Sequence, residues 1–115
     1  MRILVIEADP DISYALDIML TQKGYQVDLA PNGDNIFANN FTLPDLFLID
    51  QQLGTNEGQR IFSHLKSQVN SKDIPIIVMS SSRNLGLQAL RAGATNVLNK
   101  PFEMKEIIRM IETTI

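Results

Sequence analysis

Three short, unbroken apolar runs constrain this chain more than anything else in it: Ile3-Leu4-Val5-Ile6, Leu46-Phe47-Leu48-Ile49 and Ile76-Ile77-Val78-Met79. Each is too short to be a complete helix and lacks the apolar–polar alternation of a half-covered strand. Runs of this kind suit strands buried on both faces, as in a parallel sheet sandwiched between helices. Two further segments carry weaker strand signals. Tyr25-Gln26-Val27-Asp28-Leu29 alternates, and Asn96-Val97-Leu98 is brief. Less complete cover places both at the edges of the sheet.

Between the runs the apolar period becomes helical. Ile12, Ala15, Leu16, Met19 and Leu20 mark one stripe, Ile61, Phe62, Leu65 and Val69 a second, and Met104, Ile107, Ile108 and Ile111 a third. The stretches 36–41 and 85–90 are weaker helical candidates. Asp9-Pro10 puts a capping carboxylate ahead of a proline in a first helical turn, Gly24 and Gly93 can close helices, and Asn32-Gly33 reads as a turn. Strands alternating with helices imply right-handed parallel crossovers. The expected fold is α/β: a doubly wound, five-stranded parallel sheet in the flavodoxin-like order 2-1-3-4-5, with helices on both faces.

Composition closes off several functions. The 115 residues fit one domain, and a formal charge of −3 supplies no basic footprint for a nucleic-acid backbone. There is no cysteine, which removes disulfides, thiolate metal sites and a cysteine nucleophile. The apolar start at 3–6 is broken at once by Glu7 and Asp9, far short of a signal-peptide core or a membrane span, so a cytoplasmic location without membrane contact is expected.

In doubly wound sheets the ligand crevice lies beyond the carboxyl ends of the strands. The residues that follow the runs are Glu7, Asp50, Ser80 and Asn99-Lys100-Pro101. Two carboxylates, a hydroxyl and an ammonium on one rim suit a divalent cation together with a phosphoryl group. A strand-end carboxylate often does no more than cap a turn, but Asp50 has Lys100 and Ser80 expected opposite it, which favours chemistry.

With these residues in register, the chain resembles the receiver domain of bacterial two-component response regulators over essentially its whole length. The matching pieces are ILVIEADPDI at 3–12, PDLFLIDQQLG at 44–54 with Gly58 beyond, PIIVMSS at 75–81 and GATNVLNKPF at 93–102. The resemblance implies a single receiver domain over residues 1–115, a regulatory phosphoacceptor that takes part in its own phosphorylation rather than an enzyme. Asp50 would take a phosphoryl group from a phosphohistidine on a histidine kinase or phosphotransfer protein. Mg²⁺ would be held by Glu7, Asp50 and the backbone carbonyl of Gln52. Lys100 would pair with the phosphoryl group, Ser80 would be the switch hydroxyl, and Lys100-Pro101 would be cis. An output domain, partner protein or second copy would meet the face of the fourth helix, fifth strand and fifth helix.

The chain departs from the family pattern at several positions. Two adjacent acids usually follow the first strand, whereas this chain reads Glu7-Ala8. Asp9 could turn inward instead, but a helix cap before Pro10 competes for it. Loss of a carboxylate weakens a Mg²⁺ site that has few protein ligands. Val97 stands where an aromatic commonly swings with the switch hydroxyl, Gly54 replaces a usual proline, and Glu57 a usual aspartate.

These departures keep a second function open: a phosphorylation-independent pseudo-receiver acting as a protein-interaction module. A third, a small enzyme or nucleotide binder of the same architecture, lacks a G-x-G-x-x-G or P-loop fingerprint. The serines 80–82 also suit a turn and a helix cap, and His64, the sole histidine, suits a solvated helix position.

Overall fold

The computed structural model describes residues 1–51 and 56–115. The chain runs β1 (Arg2–Ile6), α1 (Pro10–Gln22), β2 (Gln26–Ala30), α2 (Asp34–Phe37), β3 (Leu46–Asp50), α3 (Glu57–Ser67), β4 (Ile76–Ser80), α4 (Arg83–Arg91), β5 (Asn96–Asn99) and α5 (Met104–Thr114). All four strand pairings are parallel, in the order β2-β1-β3-β4-β5 expected from the sequence. The three unbroken runs are the three central strands. The alternating segment and the brief one lie at the edges.

The central strands feed two cores because successive side chains point to opposite faces. Leu4, Ile6, Phe47, Ile49, Ile76 and Val78 pack with Ile36, Ile61, Phe62, Leu65 and Ala89 under α2, α3 and α4. Ile3, Val5, Leu46, Leu48, Ile77 and Met79 pack with Leu16, Leu20, Ile107 and Ile111 under α1 and α5. Both faces are therefore helix-covered, which is why these strands tolerate no alternation.

The helix signals also match at their ends. Asp9 Oδ1 accepts from the amides of Asp11 at 2.9 Å and Ile12 at 3.4 Å, with Pro10 as the first helical residue of α1. Gly24 and Gly93, just past α1 and α4, have φ of +93° and +112°, a conformation that suits glycine in helix-closing turns. Two stripe positions differ from expectation. Val69 is 81% exposed because α3 ends at Ser67, and Met104, in the first turn of α5, is 41% exposed. His64 is half-buried rather than freely solvated: Nε2 lies 2.8 Å from Asn39 Oδ1 and the ring meets Phe37 edge-on. It ties α3 to the end of α2.

Candidate functional site

Backbone ladders carry the site residues to one rim. Each ladder runs one residue past its strand: the Glu7 amide donates to the Ala30 carbonyl at 3.0 Å, that of Gln51 to Met79 at 2.9 Å, and that of Lys100 to Ser80 at 2.9 Å. Asp50 is paired with Met79 in the β3–β4 register. The rim is thus fixed by the sheet rather than by loops. Glu7, Asp50 and Ser80 are all buried, at 2%, 5% and 0% exposure.

Lys100, reached through a cis Lys100-Pro101 bond, joins the two carboxylates. Its Nζ lies 3.2 Å from Asp50 Oδ1 and 3.4 Å from Glu7 Oε2. Glu7 Oε1 accepts from the Asp9 amide at 3.2 Å. Burial raises the Glu7 carboxyl above its ordinary range. The Asp9 amide opposes the rise, the adjacent Asp50 carboxylate adds to it, and Lys100 works against it. The chemistry available is that of two nearby carboxylates and one cation.

Ser80 is brought to the same rim, but its hydroxyl is occupied locally. Oγ donates to the Ser82 carbonyl at 2.9 Å and accepts from the Ser82 amide at 3.1 Å. Ser82 in turn caps α4, its Oγ accepting from Leu85 N at 3.3 Å. Both bland readings of the serine run, turn and cap, therefore hold beside the register that singled out Ser80. Asp9 is committed to capping α1, and Ala8 is exposed on the rim. Glu57 receives the Gly33 amide at 3.2 Å, tying the turn before α2 to α3. Gln52 and Gly54 lie outside the described residues.

Sequence reasoning missed Gln51. The residue is 9% exposed, and its Nε2 donates to the Leu85 carbonyl at 2.9 Å, reaching from the end of β3 to the first turn of α4. The only sequence signal was a polar residue continuing a buried run immediately after Asp50.

The donor set can be tested against a divalent ion. Among the described residues no cluster of three or more His, Cys, Asp or Glu side chains could hold a metal. Glu7 and Asp50 nevertheless converge on one ammonium, and Mg²⁺ is commonly bound by one or two carboxylates with water and phosphate oxygens completing its shell. The pair fits such an ion with a minimal protein contribution, and no third acid stands at position 8.

A five-stranded doubly wound domain with a buried acid ending β3, an acid after β1, a hydroxyl ending β4 and a lysine after β5 is of the signal-receiver class. The chain belongs to the response regulator receiver domain family, whose sequence pattern matches residues 3–112. Members of this family work in two-component signalling with histidine kinases.

Among curated relatives, it is 36% identical to the transcriptional regulatory protein KdpE of Staphylococcus aureus, over 96% of this chain and 49% of that protein. It is 30% identical to the phosphate regulon transcriptional regulatory protein PhoB of Escherichia coli, over 99% and 51%. The chain thus spans about half the length of these relatives. Among solved structures, the receiver domain of a Pseudomonas aeruginosa sensor histidine kinase, with a magnesium ion coordinated in its active-site cleft, aligns with a TM-score of 0.85 at 27% identity, over 97% of this chain and 94% of that one. Vibrio cholerae chemotaxis protein CheY4 shares the fold with a TM-score of 0.89 at 20% identity, over 99% and 98%.

Proposed function

We propose that this receiver domain, residues 1–115, accepts a phosphoryl group on Asp50 from a phosphohistidine of a partner kinase or phosphotransfer protein. The observation that carries this reading is the buried Asp50 carboxylate held 3.2 Å from Lys100 Nζ at the end of β3. Attack by an Asp50 oxygen forms the new O–P bond as the N–P bond of the donor breaks, and the imidazole leaves with the bonding pair and takes up a proton. The protein's part is positioning and charge neutralisation. Lys100 offsets charge on the transferred group, and Ser80, once released from Ser82, is the hydroxyl on the far side. Glu7, Asp50 and the Gln52 carbonyl would hold Mg²⁺, which supplies further charge neutralisation when bound. A largely apolar groove of about 490 Å³, lined by Ile12, Ala15, Leu16, Pro101, Phe102 and Met104, opens beside Lys100 and offers the donor protein a surface.

Output through the α4, β5 and α5 face, to an output domain, a partner or a second copy, belongs to the same reading, as does a cytoplasmic location. Among the described residues no helix is long and apolar enough to cross a membrane.

Incubation with Mg²⁺ and a small-molecule phosphodonor, followed by intact-mass analysis, tests the proposal. One phosphoryl group is expected on the wild type and none on Asp50→Asn; an unmodified wild type would count against it. A second reading, a receiver that works without phosphorylation, draws on Ala8 at the rim and on the Glu7–Lys100–Asp50 cluster already satisfied in the unmodified protein. That reading requires partner binding to survive both Asp50→Asn and Asp50→Ala.

A further inference from the structure

Gln51 is held more tightly than its place after a strand requires. Its backbone amide extends the β3–β4 ladder, and its carbonyl abuts α3 so closely that a Cβ on Gly58 would stand 2.5 Å from the carbonyl oxygen. With the backbone fixed on both sides, the side chain crosses beneath α4. Nε2 donates to the Leu85 carbonyl, whereas Oε1 is buried with no hydrogen-bond partner among the described residues. Natural interiors rarely leave such an acceptor unpaired.

Both sides of Leu85 lead back to the rim. Its amide bonds Ser82, which is bonded to Ser80 at the end of β4, and its carbonyl bonds Gln51, next to Asp50. The following residue, Gly86, faces β5: a Cβ there would lie 3.1 Å from Val97 Cγ1. The bare Gly86 backbone and the short Val97 side chain thus let α4 sit close to β5. A cavity of about 170 Å³ between α3 and α4, lined by Gln51, Gly58, Phe62, Gln88 and Ala89 among others, leaves space for the amide to turn. On the outer side of α4, Leu87 and Leu90 are 45% and 43% exposed.

We propose that Gln51 is a latch coupling the charge at Asp50 to the seating of the first turn of α4. It is a positioning residue. With Asp50 unmodified, the Gln51–Leu85 bond holds the helix down on Val97. A change of charge at Asp50 shifts Gln51, the bond to Leu85 gives way as Oε1 finds a donor, and the surface carrying Leu87 and Leu90 moves. The natural trigger rests on Asp50 being the phosphoacceptor, but the coupling itself is a property of these residues in the unmodified protein.

The test is a double-mutant cycle read by backbone hydrogen exchange. Asp50→Asn is expected to change the exchange of α4 amides 85–90 by roughly threefold or more. In Gln51→Met, which keeps the shape and removes both polar atoms, and in Gln51→Glu, which removes the donor, the same Asp50 change is expected to leave those amides unmoved, with α1 as the control. An Asp50→Asn effect of equal size in the Gln51 variants, or none in the wild type, would overturn the latch. The Gln51 side-chain NH₂ resonances give an independent reading without substitution at that residue: they should shift in Asp50→Asn, and unchanged resonances would also overturn it. Failure of beryllofluoride to bind at Asp50 while the cycle still shows coupling would remove the phosphoacceptor reading and leave the latch standing.

Discussion

The two sides of this site are held by different forces. Around Asp50, the partly exposed Lys100 ammonium lies within 3.4 Å of each of two buried carboxylates, those of Glu7 and Asp50. Around the first turn of α4, Ser80, Ser82, Leu85 and Gln51 are neutral groups joined by hydrogen bonds. Charges clustered in a poorly solvated pocket respond strongly to one more charge, as a phosphoryl group would be. Neutral hydrogen bonds exchange partners at little net energy, especially where one acceptor already lacks a donor. On the proposed reading, the charged side senses the phosphoryl group and the neutral side carries the shift to α4.

The largest effect is expected from breaking the charged side. Lys100→Met leaves two buried carboxylates without their cation and should destabilise the fold by about 2–3 kcal/mol at neutral pH, less than for a fully buried pair because the lysine side chain is 18% exposed. Urea unfolding measures it, and the loss should shrink in acid as Glu7 takes up a proton. Gly58→Ala strikes the neutral side instead. Its Cβ would push directly on the Gln51 carbonyl, with an expected cost of about 2 kcal/mol by the same assay, and α4 amides should lose exchange protection beyond what global destabilisation explains.

A smaller change should sharpen the charged side. Ala8→Asp adds a carboxylate at an exposed rim position, and Mg²⁺ affinity measured by calorimetry is expected to rise roughly tenfold. Unchanged affinity would mean that the pair Glu7 and Asp50 is not short of a ligand.

The smallest effect concerns Glu7. Because burial raises its folded value above the ordinary 4.5, the native state retains a proton that the unfolded chain releases. Its contribution to stability is therefore complete below 4.5 and is lost as pH rises through the raised folded value. Glu7→Gln should erase that fall, so that its urea midpoint gains on wild type as pH rises across this window.

The same contrast explains what could be read from the sequence. Three apolar runs ending at Glu7, Asp50 and Ser80 made the central strands and the rim legible, because burial on both faces leaves no ambiguity of period. The edge assignments followed from weaker patterns in 25–29 and 96–98. Val69 misled because a helical stripe does not mark where a helix stops, and α3 ends two residues earlier. The Lys100 bridge across 93 positions to Glu7 was foreseen only as a shared rim. Gln51 was invisible because local pattern assigns a polar residue after a strand to a turn, while its partner, Leu85, lies 34 residues away on a helix whose signal was weak. Nor did the sequence show that α4 passes so near β5 that a Cβ on Gly86 would lie 3.1 Å from Val97 Cγ1.

The most direct measurement is a titration of the protein with beryllofluoride and Mg²⁺ followed by backbone NMR, with Asp50→Asn run in parallel. The expected result is saturable movement of the Glu7, Gln51 and Lys100 amides, extending to Leu85 and Gly86, in the wild type alone. Resonances that stay in place in the wild type, or that move equally in Asp50→Asn, would contradict an acceptor site centred on Asp50.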